Sequence, residues 1–377
     1  MLWALAHETG NIGSRLREAL RHSNATQRSN TLLNFAERSL GRAKLLSLPS
    51  IVQVEVTNRC NLNCIFCSRH SHPLQLGDLP ECLIPEISNF SARARETICF
   101  GYGEPLIGKT FRGLIRDTRS GRISFTTNGL ALTPALISEL LAEVSRPLYN
   151  ITFSIDALDE ATYLSIREHS NFERVWENLR GLAALKASRD LTLPEIWINF
   201  VAMRRNIEQL PGLLISAAEA GVSRILVFHL VVWDASYQAE SLLGYPDLTK
   251  RIFDETRRIA GERGIRVDLP ITISDGGSRT PDDPEAMPLP KCHQPWSYVY
   301  IRHDGEVHAC CFSERLKMGD LKENRFDEIW NNAAYQNLRQ TVNTSPPPDC
   351  LRCEMRFRYS RSPNERETYL KLTPRAK

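Results

Sequence analysis

Three cysteines on one short segment are the residues of this chain whose types and spacing most directly suggest chemistry. Cys60, Cys64 and Cys67 follow a short apolar run in the order C-x3-C-x2-C. Three thiolates on one tight loop can hold three irons of a cubane cluster, and the fourth iron is then left without a protein ligand. An open position on a metal is where chemistry can take place. The spacing therefore predicts a reactive iron–sulfur cluster.

A zinc loop is the alternative interpretation of these cysteines. Zinc sites favour paired C-x2-C units that complete a tetrahedron of ligands. Cys64 and Cys67 have this spacing, but Cys60 does not fit it. Iron–sulfur chemistry is therefore the interpretation that uses all three thiols.

The segment resembles the cluster loop of the radical S-adenosylmethionine (SAM) superfamily, which has the form C-x3-C-x-aromatic-C after a first strand. The resemblance implies that the open iron of a [4Fe–4S] cluster binds the amino and carboxylate groups of SAM. Electron transfer would then cleave SAM to methionine and a 5′-deoxyadenosyl radical. Phe66, between the last two cysteines, would contact the adenine. A flavodoxin- or ferredoxin-type protein is the expected reductant.

Six apolar, β-rich runs alternate with helical patterns along the chain. This alternation predicts βα units and a parallel sheet, which right-handed crossovers curl into a partial barrel. The predicted strands are Ile51–Val56, Thr97–Gly101, Ile123–Thr126, Tyr149–Asp156, Ile196–Met203 and Ile225–Val232. The predicted helices are Lys109–Thr118, Pro134–Val144, a short helix opening at Asp159, Asn171–Lys186 and Ile207–Ala220. The expected fold is α/β, a partial (β/α)6 TIM-like barrel, with ligand-binding loops at the carboxyl ends of its strands.

The second strand leads into a glycine-containing segment, Gly101, Tyr102, Gly103, Glu104 and a proline. It resembles the Gly-Gly-Glu-Pro segment of the family, with Tyr102 in place of the middle glycine. In the family this segment receives the methionine amino group. A backbone of small residues suits that role because it can approach a ligand closely and offer carbonyl acceptors. An ordinary strand-to-helix turn is the alternative.

Polar residues also follow the third and fourth strands. Asn128 follows the third strand, and Ser154 and Asp156 end the fourth. Such groups suit a ribose diol, and in the family the end of the fourth strand contacts the ribose and methionine of SAM. Arg167 is comparable to an arginine that faces the methionine carboxylate, for which a guanidinium is a good donor. A turn position for Asn128 and a surface cation for Arg167 are the alternatives.

A second group of cysteines lies near the C-terminus. Its members are Cys292, Cys310, Cys350 and Cys353. An Asp-Gly pair between the β-prone runs Tyr298–Arg302 and Glu306–Ala309 predicts a hairpin, and a helix is predicted over Phe326–Gln340. A hairpin followed by a helix is a compact way to bring four thiols together.

This tail resembles the SPASM/twitch extension of many radical SAM enzymes, with twelve residues between Cys292 and Gly305 and a Gly-Asp-Leu from Gly319. The resemblance implies one auxiliary [4Fe–4S] cluster, saturated by four cysteines and suited to passing an electron. A structural zinc site is the alternative. The predicted division is an N-terminal helical extension 1–48, a barrel 49–274, a linker 275–290, a SPASM/twitch domain 291–360 and a tail 361–377.

Two weaker sets of candidates remain. Three cysteines outside both groups could donate a hydrogen atom to a substrate radical, although packing explains each of them: Cys82, Cys99 and Cys311. Residues at and after the end of the sixth strand are candidate substrate contacts, although core and loop positions explain them equally well: His229, Trp233, Asp234 and Tyr237.

Length and composition are compatible with these predictions. A chain of 377 residues can hold a barrel and extensions, and a net charge of +3 does not favour nucleic acid as a partner. No apolar run approaches the roughly 18 residues of a membrane span, and the start of the chain does not have the pattern of a signal peptide. A cytoplasmic protein without a membrane partner is therefore expected.

The predicted function is that of a radical SAM oxidoreductase, a dehydrogenase or an epimerase-like enzyme. It would abstract a hydrogen atom from a small polar substrate, such as a sugar, an aminocyclitol or another natural product, and the auxiliary cluster would accept the substrate electron. The alternative within the class is the epimerisation or crosslinking of a ribosomally made peptide. A non-catalytic iron–sulfur electron carrier and a zinc-stabilised binding protein are alternatives outside it.

Overall fold

The structure is a computed structural model. It describes residues 22–71, 75–232, 234–270, 291–313, 315–351 and 353. The predicted linker 275–290, the predicted tail 361–377 and the candidate Trp233 therefore lie outside the described residues, and the predicted domain boundaries stay predictions.

One ten-stranded sheet dominates the described part of the chain. The strands in chain order are β1 (Ile51–Val54), β2 (Asn63–Cys64), β3 (Glu96–Cys99), β4 (Arg122–Thr127), β5 (Leu148–Ser154), β6 (Arg167–Glu168), β7 (Glu195–Ala202), β8 (Arg224–His229), β9 (Arg266–Asp268), β10 (Tyr298–Ile301), β11 (Glu306–His308) and β12 (Lys317–Asp320). The sheet order is β12-β11-β10-β1-β3-β4-β5-β7-β8-β9, and β2 and β6 form a separate pair.

The six predicted strands are neighbours in this sheet and all run parallel, as β1, β3, β4, β5, β7 and β8. The α/β fold with a partial barrel is therefore confirmed. A further parallel strand, β9, pairs with β8 and was not predicted. Its three residues are too few for a recognisable strand pattern.

Helices cover the outer face of the sheet. They are α1 (Ala25–Ser39), α2 (Ile84–Ser91), α3 (Phe111–Asp117), α4 (Pro134–Glu143), α5 (Glu160–Ile166), α6 (Phe172–Ser188), α7 (Leu210–Glu219), α8 (Pro246–Arg263), α9 (Gln294–Ser297), α10 (Phe326–Trp330), α11 (Ala333–Thr341) and α12 (Pro348–Leu351). The single helix predicted over Phe326–Gln340 is two helices, because the Asn332 side chain caps the second one by accepting from Tyr335 N at 2.9 Å. Within the described residues, no helix is long and apolar enough to cross a membrane.

Side chains of the strands alternate between two apolar cores. Val54 and Phe125 belong to the larger core beneath the helices. Ile51, Ile98 and Trp197 belong to a smaller cluster on the inner face of the barrel. Two-sided burial explains why the barrel strands read as nearly continuous apolar runs.

The C-terminal hairpin is part of the barrel sheet. Strand β10 runs parallel to β1, with Ile51 opposite Tyr298 and Val54 opposite Ile301. Strand β11 then pairs antiparallel with β10, which confirms the predicted hairpin. The barrel and the cysteine-rich tail therefore share one continuous sheet. The sequence did not indicate that this hairpin would extend the barrel.

Helix α1 packs with its polar face inward. Four polar residues on this face are buried: Gln27, Asn30, Asn34 and Glu37. Asn30 Nδ2 donates to Leu48 O at 3.0 Å and to Arg93 O at 3.1 Å, while Leu32 and Phe35 are exposed. Asn30 thus satisfies backbone groups of the segments before β1 and before β3. The N-terminal extension is therefore fastened to the barrel by hydrogen bonds.

Candidate active site

The three-cysteine loop lies at the carboxyl end of β1. Its thiols are half-buried, and Cys60 and Cys64 each interact electrostatically with Cys67, so the three side chains face one region. Burial raises the pKa of Cys60 and raises that of Cys64 to about 11. Cluster assembly must therefore displace thiol protons at neutral pH.

The donor set of this loop fits an iron–sulfur cluster. Within the described residues, no group of three or more His, Cys, Asp and Glu side chains could hold a single metal ion. A cubane gives each thiolate its own iron, so its ligands need not converge on one point. Arg167 Nη1 donates to Cys64 Sγ at 3.5 Å, which supplies a positive charge beside a ligand that must become a thiolate.

Hydrogen bonds to a following segment fix the base of the loop. Asn58 Nδ2 donates to Gln75 O at 2.9 Å, and Gly77 N donates to Asn58 Oδ1 at 2.8 Å. Thr57 Oγ1 donates to Gly77 O at 2.9 Å. Asn58 and Thr57 are buried, so these bonds are shielded from water. The loop therefore leaves the sheet in a defined direction.

The glycine-containing segment after β3 packs directly on the end of β1. A Cβ on Gly101 would lie 2.5 Å from Glu55 Cγ, and one on Gly103 would lie 2.3 Å from Thr57 O. Tyr102 N donates to Glu55 Oε1 at 2.6 Å. Gly101 therefore leaves room for the Glu55 side chain, and Gly103 allows a close approach between two backbone segments, whatever ligand the segment also binds.

The variant Gly103→Ala is expected to lose most SAM binding and to lower the free energy of unfolding, because its methyl group would overlap backbone oxygens that cannot move aside. Calorimetry with SAM and denaturant unfolding would measure the two effects. The matched control is Gly261→Ala in α8, where no atom lies within 4 Å of the new Cβ. The control should be neutral or more stable by about 0.5–1 kcal/mol. A Gly103→Ala protein with the control's behaviour would contradict the tight packing.

A buried carboxylate joins the ends of β3 and β4. Glu104 accepts from Thr127 Oγ1 at 2.7 Å and from Asn128 N at 2.6 Å. Asn128 Nδ2 in turn donates to Asn61 Oδ1 in the cysteine loop at 2.8 Å. Burial raises the pKa of Glu104 to about 7, although these donors oppose the shift. Glu104 and Asn128 thus act at least as supports of the loop.

Glu104 predicts a pH dependence of stability. Its raised pKa means that its contribution is fully present below pH 4.5, the ordinary value, and is lost as the pH rises through about 7. Over that window the apoprotein should lose about 3 kcal/mol of unfolding free energy through this group. Denaturant titrations at several pH values would show a flatter profile for Glu104→Gln and the wild-type profile for the exposed-site control Glu81→Gln. Equal slopes in all three proteins would contradict this assignment.

Asp156 and Arg167 form a buried ion pair beside the cysteine loop. Asp156 Oδ2 lies 2.6 Å from Arg167 Nη2, and Asp156 Oδ1 accepts from Val201 N at 2.7 Å. Arg167 is 7% exposed, which excludes a surface helix cation. Asp156, at 0%, is committed to these partners and holds the guanidinium in place. Its direct contact with ribose stays a prediction that this geometry does not favour.

The guanidinium of Arg167 stays charged in this environment. Burial alone would lower its pKa, but Asp156 and Cys64 outweigh burial and raise it. Burial raises the pKa of Asp156, and the guanidinium acts in the opposite direction. The charge of Arg167 is therefore available to the thiol of Cys64 and to an anionic group bound nearby.

An apolar patch borders the cysteine loop on the side of β7 and β8. Ile166, Met203 and Leu230 form its buried centre, and Phe66 and Tyr237 pack against it. The ring centroid of Phe66 lies 5.6 Å from the guanidinium carbon of Arg167. Ser154 is half-buried at the end of β5, opposite Asn199 of β7. The patch and Ser154 could contact an adenosyl group.

The candidate substrate contacts are not brought together. The ring of His229 lies 6.0 Å from that of Phe253, on the helix-facing side of the sheet. The Asp234 side chain caps a short 3-10 helix by accepting from Ser236 N at 2.9 Å. Among the described residues of this set, Tyr237 is the one that packs against the same patch as Phe66.

The three remaining cysteines have different surroundings. Cys99 lies in the helix-facing core, and Cys82 is exposed. Cys311 packs against the inner aromatic cluster and is hydrogen-bonded to Tyr298, which donates to Gln53 Oε1 at 2.8 Å. Of the three candidates, Cys311 is therefore the one oriented toward the barrel interior.

The C-terminal cysteines lie at the end of the hairpin and on the segments before and after it. Cys310 interacts electrostatically with Cys353, and Cys292, Cys310 and Cys350 each pack on the large helix-facing core. A hydrogen bond with Cys311, together with burial, raises the pKa of Cys310. The four-thiol set fits an auxiliary cluster.

Side-chain hydrogen bonds connect the segments that carry these cysteines. Asn343 holds the backbone of Cys292 through bonds of 2.7 and 3.0 Å. Ser313 Oγ donates to Asp349 Oδ2 at 2.6 Å, which ties the chain after Cys310 to α12. The segments are thus already positioned by protein contacts.

Several residues that support the site could not be predicted from motifs in the sequence. Glu55, Asn61, Gln53 and His303 carry no motif of their own. One usable signal existed, because Gln53 in β1 and Glu55 directly after it alternate with apolar residues, and such alternation places polar groups on the inner face. The sequence around His303 indicated only a hairpin turn.

Two family models match the chain. The radical SAM superfamily model matches residues 54–215. The model of the SPASM iron–sulfur cluster-binding domain matches residues 292–354. The two matches include the cysteine loop and the C-terminal cysteine set, respectively.

Curated relatives match along most of the chain. The tungsten-containing aldehyde ferredoxin oxidoreductase cofactor-modifying protein of Pyrococcus furiosus is 27% identical over 329 residues, which cover 80% of this chain and 86% of the relative. The PqqA peptide cyclase of Xanthomonas euvesicatoria pv. vesicatoria is 27% identical over 328 residues, which cover 82% of this chain and 81% of the relative.

Solved structures share the fold. Streptococcus suis SuiB bound to the precursor peptide SuiA has a TM-score of 0.60 at 15% identity, covering 94% of this chain and 80% of SuiB. The protein anSMEcpe with bound AdoMet has a TM-score of 0.59 at 15% identity, covering 85% of this chain and 95% of that protein. At this identity the likeness concerns the fold.

Proposed function

This chain belongs to the radical SAM superfamily and carries a SPASM iron–sulfur cluster-binding domain, and we propose that it modifies a ribosomally made peptide by abstracting a hydrogen atom. SAM and [4Fe–4S] clusters are the cofactors of these two domains. The peptide substrate, the outcome of the reaction and the roles of individual residues are the proposed part.

The similarity to the PqqA peptide cyclase carries the proposal. It extends over 82% of this chain and 81% of the relative. SuiB, which shares the fold, binds a precursor peptide, and this also favours a peptide substrate. The predicted sugar or aminocyclitol substrate has less support, because the similar proteins include a peptide cyclase and a protein that binds a precursor peptide.

We assign each group of residues in the site a role in binding the cluster or in orienting SAM. When bound and reduced, the cluster and SAM supply a 5′-deoxyadenosyl radical that takes a hydrogen atom from a C–H bond. Cys60, Cys64 and Cys67 would hold the cluster, and the backbone of 101–103 would orient the methionine amino group. Arg167, fixed by Asp156 at 2.6 Å, would orient the methionine carboxylate.

The barrel interior would shield the radical. Trp197, Tyr298 and Tyr300 belong to the apolar side-chain cluster on the inner face of the barrel and are buried. Aromatic side chains of this kind exclude water from the reacting centre. The cysteines at 292, 310, 350 and 353 would hold the auxiliary cluster, and a flavodoxin- or ferredoxin-type protein would supply the first electron.

Mass spectrometry of peptides tests the proposal. Reconstituted protein, SAM and dithionite would be incubated anaerobically with peptides encoded beside its gene, in D₂O and in H₂O. Crosslinking or dehydrogenation removes two hydrogens, whereas epimerisation leaves the mass in H₂O unchanged and adds deuterium in D₂O. Cys311→Ser should abolish deuterium uptake if that thiol is the donor. Formation of 5′-deoxyadenosine that responds to polyols but not to peptides would contradict the peptide substrate.

A further inference from the structure

A buried carboxylate–imidazole pair connects the C-terminal hairpin with the end of β1. Glu55 follows β1, and His303 lies in the turn between β10 and β11. His303 Nδ1 lies 2.7 Å from Glu55 Oε2, and His303 N donates to the same oxygen at 3.3 Å. Glu55 is 1% exposed and His303 is 5% exposed. Water therefore does not compete for these contacts.

The second oxygen of this carboxylate contacts the glycine-containing segment. Glu55 Oε1 accepts from Tyr102 N at 2.6 Å, and the Glu55 side chain occupies the space that a Cβ on Gly101 would need. One carboxylate thus spans His303 on one side and the backbone of 101–102 on the other. Any shift of the imidazole would be transmitted to this backbone through a single side chain.

The second nitrogen of the imidazole contacts the base of the cysteine loop. His303 Nε2 lies 3.2 Å from Gln75 O, which also accepts from Asn58 Nδ2 at 2.9 Å. Both neighbours of the ring are oxygen atoms that can accept, so each ring nitrogen faces a hydrogen-bond acceptor. His303 therefore contacts the base of the cysteine loop directly and the glycine-containing segment through Glu55.

We propose that His303 is a positioning residue for SAM binding, through which the C-terminal cluster domain orders the SAM-facing end of the barrel. Through Glu55 it holds the backbone of 101–102, and this contact is the one that sets SAM affinity. The contact with Gln75 is a secondary support at the base of the cysteine loop. The inference rests on the proposed roles of these segments in binding SAM. It makes the C-terminal hairpin part of the SAM site as well as the carrier of a cluster ligand.

Two substitutions at His303 separate its two contacts. His303→Asn keeps a donor nitrogen near the Nδ1 position and so retains the contact with Glu55. His303→Gln places its amide near the Nε2 position and loses that contact. The matched control is His308→Gln in the same hairpin, where the imidazole is also buried but contacts Glu306 at 3.1 Å.

The test measures SAM affinity and backbone protection in the full chain with both clusters reconstituted. Equilibrium dialysis without substrate gives the dissociation constant for SAM, and hydrogen–deuterium exchange reports on the amide of Tyr102. His303→Gln should bind SAM about tenfold or more weakly, the scale of one charge-assisted hydrogen bond, and should exchange faster at Tyr102. His303→Asn and His308→Gln should stay close to wild type.

Equal SAM affinity in His303→Asn and His303→Gln, at full iron content, would overturn the inference. A comparable loss in His308→Gln would also overturn it, because the effect would then follow from the hairpin's stability. Failure of the wild type itself to bind SAM would instead refute the proposed roles of the SAM-facing segments. The two failures are therefore distinguishable.

Discussion

The triple variant Cys60→Ala/Cys64→Ala/Cys67→Ala should form no 5′-deoxyadenosine from SAM, whereas the wild type should form it after anaerobic reconstitution and reduction with dithionite. The three thiols are the predicted iron ligands at the end of β1, and Arg167 Nη1 donates to Cys64 Sγ at 3.5 Å. Without the thiolates no cluster with an open iron can assemble there. Chromatography of the quenched reaction measures the product.

A fourth cysteine provides the control for this experiment. Cys82 is exposed and lies outside both cysteine groups, so Cys82→Ala should keep wild-type product formation and iron content. The triple variant should lose the iron of one cluster and keep that of the C-terminal set. Product formation by the triple variant at the wild-type rate would show that the SAM-cleaving cluster is held elsewhere.

The barrel could be predicted because its signals are local. Each strand from Ile51 to His229 is an apolar run next to a helix pattern, and the cysteine spacing lies on one loop. Parallel order and a common carboxyl edge then follow from right-handed crossovers. These rules place the cysteine loop and the glycine-containing segment at the same end without any knowledge of tertiary contacts.

The remaining features depend on contacts between distant residues. The pairing of β10 with β1 is set by tertiary packing, and no residue pattern in Tyr298–Ile301 identifies its partner strand. Asp156 was predicted to contact SAM directly because of its position, but its burial beside Arg167 is visible only in the folded chain. Glu55 and His303 meet for the same reason. Sequence motifs predicted which residues bind the cluster and SAM, whereas the residues that position those side chains are visible only in the structure.

Substrate identity was the least predictable feature. Motifs describe the cluster and SAM, which are shared across the family, whereas the predicted substrate contacts, such as Tyr237, carry no motif. Fold alone does not determine function. The preference for a peptide substrate therefore comes from relatives such as the PqqA peptide cyclase, which matches 82% of this chain.

The buried pair Asp156–Arg167 predicts the largest effect on stability. Arg167→Met should lower the free energy of unfolding of the apoprotein by about 3–5 kcal/mol, because it leaves the Asp156 carboxylate buried without its ion partner. The double variant Asp156→Asn/Arg167→Met should recover much of this loss, because it buries no unpaired charge. Denaturant unfolding of the four proteins of this cycle gives the coupling energy between the two side chains.

An exposed arginine provides the matched control. Arg112 pairs with Glu139 at 3.0 Å on the surface, and Arg112→Met should cost less than about 1 kcal/mol because water screens that pair. The two arginines differ mainly in burial, so the difference between their variants isolates the cost of an unpaired buried carboxylate. If Arg167→Met and the double variant were equally unstable, the loss would come from packing of the long side chain. The role of Asp156 as the residue that holds the guanidinium beside Cys64 would then have to be abandoned.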